Sequence, residues 1–137
     1  ANFVDLSLDE NLSRIPMRLK ELAIITVGRV FGSDYEWFIH AKRAAEFGID
    51  TEVIESIRQN SPPSFTDEDE ALVYDVAREL AQTRHLADVN YRRAHKRFGD
   101  EGMVELAALV GFYHTVSIVL NVFDVEAPEG DPHPLKG

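Results

Sequence analysis

The side chains best spaced for chemistry are Glu36 and His40, four residues apart in the segment DYEWFIHAKRAAEFG. On a helix that interval sets a carboxylate and an imidazole on one face, a turn apart. Such a pair can move a proton near neutral pH, because histidine titrates there and a neighbouring carboxylate tunes it. The same spacing also suits a structural role, with Glu36 capping its helix and His40 packed with a satisfied ring nitrogen. Tyr35 and Trp37 flank Glu36. They serve either as core or interface residues, or as walls that exclude water and so raise the proton affinity of Glu36. His40, His114 and Glu36 are metal-ligating residue types, but their spacing carries no metal signature. No metal and no other cofactor is therefore expected. The sequence contains no Gly-rich phosphate loop, no His-Glu-x-x-His and no Gly-x-Ser-x-Gly.

Two helices and the turn between them must position this pair. Leu19, Leu22, Ile25 or Thr26, and Val30 recur at helical spacing, and Pro16 is suited to the first turn. This helix runs to about Phe31. Arg18, Glu21 and Arg29 lie off its apolar stripe. Gly32 stands where a helix end wants positive φ, and Ser33 with Glu36 three residues on has the form of a capping box. The second helix runs from about Asp34 to Phe47 and stops at Gly48.

The segments RLKELAIITVGR, DYEWFIHAKRAAEFGI and ELAALVGFYHTVSIVLNVFDV make the chain similar to the carboxymuconolactone decarboxylase family, which includes the alkylhydroperoxidase D-like proteins. The resemblance extends from about Ile15 to Val125. It implies an all-α fold, a compact bundle of about six helices that oligomerises as a homo-trimer or homo-hexamer. Redox members of that family carry a Glu on the first helix, then Cys-x-x-Cys, then a His four residues after the second Cys. Those positions fall here on Glu21, Ser33, Glu36 and His40. The chain has no cysteine, so thiol-based peroxide reduction has no nucleophile. Decarboxylase members lack the Cys pair and place a Glu four before the His, as Glu36 and His40 are placed. The resemblance thus implies a cofactor-free lyase acting on a small carboxylated lactone or related acid, with His40, Glu36 and Glu21 as catalytic residues.

Composition bounds the partners. The chain has 137 residues, 45% of them hydrophobic, enough for one domain with a real core. Its formal net charge is −10 and its pI about 4.8. Neither nucleic acid nor an anionic membrane suits so acidic a chain. No apolar run is read as long enough to span a bilayer, and the N-terminus lacks a signal-peptide pattern, so a cytoplasmic protein is expected. An acidic protein that binds an organic acid must supply local positive charge, for which Arg18 and Arg29 are candidates beside the reading as solvated arginines.

Residues 1–14 read as an extended arm whose Phe3, Val4, Leu6 and Leu8 could lie across a neighbour. Asp50 or Thr51 caps a short third helix, and Ser61-Pro62-Pro63-Ser64 forms a stiff linker. Thr66 starts a fourth helix with Asp67, Glu68, Asp69 and Glu70 in its first turn, ending near Thr83–His85. A fifth, begun at Asp88, closes at Gly99. Its Arg92, Arg93, Lys96 and Arg97 are read as a solvated face paired with the acidic helix before it. The last helix, about Asp100 to Phe123, is apolar all round, which implies a central helix or one buried at an interface. On it, Ala107, Ala108 and Gly111 permit close approach by another helix. His114 and Asn121 share a face there, and serve either structural hydrogen bonds or a substrate carboxylate or enolate. Residues 124–137 read as an irregular tail, with docking on a neighbour considered.

Beyond decarboxylation, the same acid–base apparatus could run an isomerisation, dehydration or ring closure. A non-catalytic binding or assembly protein is the alternative from another class.

Overall fold

The helix that the rest packs around is the first, and its sequence explains why. In MRLKELAIITVGRVF, apolar residues occupy two faces rather than one stripe, and every residue from Leu19 to Gly28 is buried. A helix buried nearly all round belongs at the centre. The structure, a computed structural model, describes residues 13–136. Among these it holds five α-helices and no strand: α1 (Met17–Phe31), α2 (Asp34–Glu46), α3 (Thr51–Arg58), α4 (Glu68–Thr83) and α5 (Asp88–Val122). The apolar residues read in the arm, Phe3 to Leu8, lie outside the described residues.

One face of α1, with Leu19, Ala23, Ile24 and Val27, packs on Leu72, Val73, Val76 and Ala77 of α4 and on Leu106, Leu109 and Tyr113 of α5. The other, with Leu22 and Ile25, packs on Trp37 and Ala44 of α2, Val53 and Ile57 of α3, Tyr74 of α4, and Leu135. Of the two places read for the last helix, central or buried at an interface, the first is corrected: α1 is the central helix. The second arm of α5 buries one face only. It also departs from the reading that no apolar run could span a bilayer. Asp88–Val122 is long and apolar enough by length and composition, with 33% of the apolar window buried in the subunit.

Local chemistry sets the ends. Gly32 closes α1 in the left-handed region at φ 66°. Ser33 stands at the N-cap of α2, but its side chain makes no capping bond, so the capping box with Glu36 does not form. Asp50 caps α3 by accepting from the Glu52 amide, and Asp67, not Thr66, caps α4 by accepting from the Glu70 amide. The two helices read on either side of Gly99 are one run with a break at that residue, at φ 70° and ψ −177°. Only glycine adopts that conformation readily, so the break is written in the residue type. Arg93 and Arg97 of α5 pair with Asp75 and Asp69 of α4, joining the basic face to the acidic helix.

The C-terminal tail docks on its own chain. The Leu135 amide donates to Asp34, the Arg58 guanidinium donates to the Pro134 carbonyl, and His133 lies 3.0 Å from Asp34.

Candidate functional site

Glu21 of α1 and Glu36 and His40 of α2 come together between these helices, all buried. α2 crosses α1 at Gly28, where a methyl group would make ordinary contact with Cβ of Glu36 at 3.8 Å. His40 Nδ1–H donates to Glu21 Oε2 at 2.7 Å, and its other nitrogen, Nε2, lies 3.0 Å from Glu36 Oε2. The imidazole is thus held between two carboxylates. A carboxylate accepting at Nδ1 fixes the ring's orientation and leaves Nε2 as the working nitrogen.

The two contacts differ in kind. The Glu21 bond is short and aligned. The Glu36 contact has the distance of an ion pair, and among the described residues Glu36 Oε2 finds no other hydrogen-bond partner. A buried carboxylate oxygen without an aligned donor is costly, which makes it the atom to watch. Ser33 Oγ, one turn before Glu36, is also buried and without a hydrogen-bond partner among the described residues.

Two further residues complete the site, and the sequence reading missed both. Arg43 Nε donates to Glu21 Oε1 at 3.1 Å with its side chain 46% exposed, so it closes the solvent side of Glu21. Tyr113 of α5 meets the His40 ring edge-on, with centroids 5.2 Å apart. Arg43 falls three residues after His40, a spacing that could have found it. Tyr113 carries no such signal, because it lies on a different helix and no sequence interval links it to His40.

Proton affinities follow from this geometry. Burial alone would lower the His40 pKa. The Glu21 bond, the Glu36 contact and both negative charges overcome that and hold it above the ordinary histidine value. Burial, and then the charges of Glu36 and Glu21, push the Tyr113 phenol up to about 12. At neutral pH the site therefore presents an un-ionised phenol beside an imidazole whose charged form is favoured.

The other residues singled out from sequence lie elsewhere. Arg18 pairs with Glu70 at 3.0 Å and Asp67 at 3.7 Å. Arg29 donates to the Leu135 carbonyl at 2.6 Å and so ties α1 to the tail. Trp37 is buried in the apolar core that α1 forms with α2 and α3, while Tyr35 is half-buried at the start of α2. His114 stacks on Phe31 with centroids 4.1 Å apart, and Asn121 donates to the Phe31 carbonyl at 2.6 Å. Both pin α5 to the end of α1. Among the described residues no group of three His, Asp or Glu side chains is placed to hold a metal ion. Comparison of the chain with family models, with characterised proteins and with solved structures gives no match in any of the three.

Proposed function

We propose that the protein is an acid–base lyase of the carboxymuconolactone decarboxylase type, acting on a small organic acid whose departing carboxylate is conjugated with a carbonyl. The observation that carries this reading is the buried Glu21–His40–Glu36 row, with the imidazole set between two carboxylates that favour its charged form. The carbon–carbon bond to the carboxylate breaks, carbon dioxide leaves, and the electron pair moves into the carbonyl to give an enolate. His40 Nε2–H then delivers its proton to the carbanionic carbon and becomes neutral, to be recharged from solvent. Glu21 keeps the ring oriented and stabilises its charged form, as a buried carboxylate does for a catalytic histidine. Glu36 lies where it can steer the proton between Nε2 and the substrate. Tyr113, un-ionised at neutral pH, is the hydrogen-bond donor for the enolate oxygen. Arg43 is the guanidinium nearest the row and is the choice for the substrate carboxylate, since Arg18 and Arg29 are engaged elsewhere.

Carbon dioxide release from carboxymuconolactone tests the reading. Wild-type release at the rate of buffer alone rejects it. With activity present, His40→Ala and Glu36→Gln should each lower turnover by about 10²–10⁴-fold, the range for a positioned acid–base group, with the far-UV circular dichroism unchanged. Near-normal turnover by both variants removes these residues from the chemistry.

A further inference from the structure

The arginines sort by what they meet. Arg14, Arg18, Arg43, Arg58, Arg93 and Arg97 each pair with a carboxylate. Arg84 and Arg92 stand in open solvent. Arg29 and Arg78 do neither. Both are half-buried, and among the described residues no Asp or Glu lies within ion-pair distance of either. In a chain of net charge −10 this is not for want of acids.

These two arginines line the same cavity, between the last turns of α1, the end of α3 and the middle of α4. Each meets a neutral acceptor. Arg29 donates one N–H to the Leu135 carbonyl at 2.6 Å, and Arg78 donates one to the Tyr74 hydroxyl at 2.8 Å. These bonds hold the two guanidinium groups in place and leave each with further N–H donors. The buried Tyr74 keeps its own O–H to donate, and Asn60 adds an amide to the wall. Two like charges lining one cavity repel, and a cation partly withdrawn from water costs free energy unless an anion answers it. Donors of this number and sign suit an oxyanion.

Size and wall narrow which oxyanion. The free space is about 10 Å³, on the order of one water-sized oxygen. That admits one oxygen of a planar carboxylate and excludes a whole tetrahedral phosphate. Val30 and Ile57 make part of the wall apolar, as the carbon chain behind a carboxylate requires. Arginine is the side chain best shaped for carboxylate recognition.

We propose that Arg29 and Arg78, with Tyr74 and Asn60, form a binding site for a small aliphatic carboxylate. Arg29 follows Glu21 by eight residues, about 12 Å along α1. The site is therefore separate from the Glu21–His40–Glu36 row. It does not rest on the lyase reading, and its test needs no turnover.

Titration of the isotope-labelled full chain with sodium butyrate, balanced with sodium chloride to constant ionic strength and followed by heteronuclear NMR, tests it. Saturable shifts are expected at Nε–H of Arg29 and Arg78 and at the Asn60 side-chain amide. Arg29→Gln and Arg78→Gln should each weaken binding by at least about ten-fold, as the loss of one charged hydrogen bond does. Arg92→Gln, a change to an arginine in open solvent, should leave it unaltered. The wild-type shifts locate the site even where a glutamine variant does not fold. No saturation by butyrate, saturation confined to His40 and Arg43, undiminished binding by either folded variant, or equal weakening by Arg92→Gln overturns the inference. Tighter binding of inorganic phosphate than of butyrate overturns the assignment to a carboxylate.

Discussion

Glu21→Gln is the substitution that most directly tests the site's electrostatics. It keeps the shape of the side chain and removes its charge. Glu21 serves two donors, His40 Nδ1–H through one oxygen and Arg43 through the other. A glutamine has only one oxygen. If it accepts from His40, its amide points at Arg43. If it accepts from Arg43, the amide faces Nδ1 and forces the neutral ring with its proton on Nε2. The first orientation loses the Arg43 bond, and the second replaces the charged His40 bond with a neutral one. A buried hydrogen bond to a charged group contributes about 1.5–3 kcal/mol, whereas the half-exposed Arg43 adds at most about 1 kcal/mol. The expected loss is about 2–3 kcal/mol at pH 6. The His40 pKa is raised in the folded protein, so its stabilisation is fully present below the unfolded value near 6.5 and fades as pH rises through the folded value. The penalty should thus be smaller at pH 9 than at pH 6. Urea unfolding at the two pH values measures it, and the His40 ring proton, followed by NMR, should titrate at lower pH in the variant. Equal penalties at both pH values, or an unmoved titration, would refute the assignment of Glu21 as the partner that charges His40.

Gly102→Ala should destabilise by about 1–3 kcal/mol, read by chemical unfolding, because its new methyl would meet Phe98 Cβ at 2.5 Å on the far side of the Gly99 break. Lys20→Met should cost about 3 kcal/mol in the same measurement. It strands Glu105, whose carboxylate lies 3.7 Å from the fully buried ammonium and also accepts from Ser13 and the Arg14 amide.

How far the sequence reveals this molecule depends on whether a feature is local. The turn at Gly32, the caps at Asp50 and Asp67 and the break at Gly99 are set by single residue types, and three of these four stand where the residues imply. Asp67 in place of Thr66 is a shift of one residue, within the usual play of a helix start. The pairing of Glu36 with His40 follows from helical spacing alone. Glu21 was named only through the family resemblance, because helical spacing cannot tell that α1 is covered on all sides. Once α1 is central, residues off its apolar stripe are buried too, which brings Glu21 to His40 and Lys20 to Glu105. Tyr113 is hidden for the same reason, since its role depends on which helices cross, whereas Arg43 stands at a helical interval from His40. The polar pair on α5 shows the converse. His114 and Asn121 share a face as read, yet that face meets the end of α1, not the imidazole.

Two buried ion pairs hang from adjacent residues of α1, and they make different demands. The Lys20–Glu105 pair is supplemented by Ser13 and the Arg14 backbone, as a structural pair must be if it is to offset the loss of water. The His40 row is supplemented on one side only. Glu21 has two donors, while Glu36 Oε2 has a charge nearby and no aligned bond. A group kept in that state is poorly explained by stability, since an uncharged side chain of the same shape would cost less. Sites that act on ligands commonly give up stability in this way. Glu36→Gln should therefore leave stability unchanged or raise it by up to about 1 kcal/mol at pH 9, where less of the imidazole is charged than at pH 6 and its attraction to Glu36 is weaker. At pH 6 the lost attraction to the charged ring offsets that gain. Urea unfolding of the variant at pH 9 decides the matter. A loss above about 2 kcal/mol would mean that Glu36 is held for structure, and the case for an acid–base site would lose the carboxylate on which it most depends.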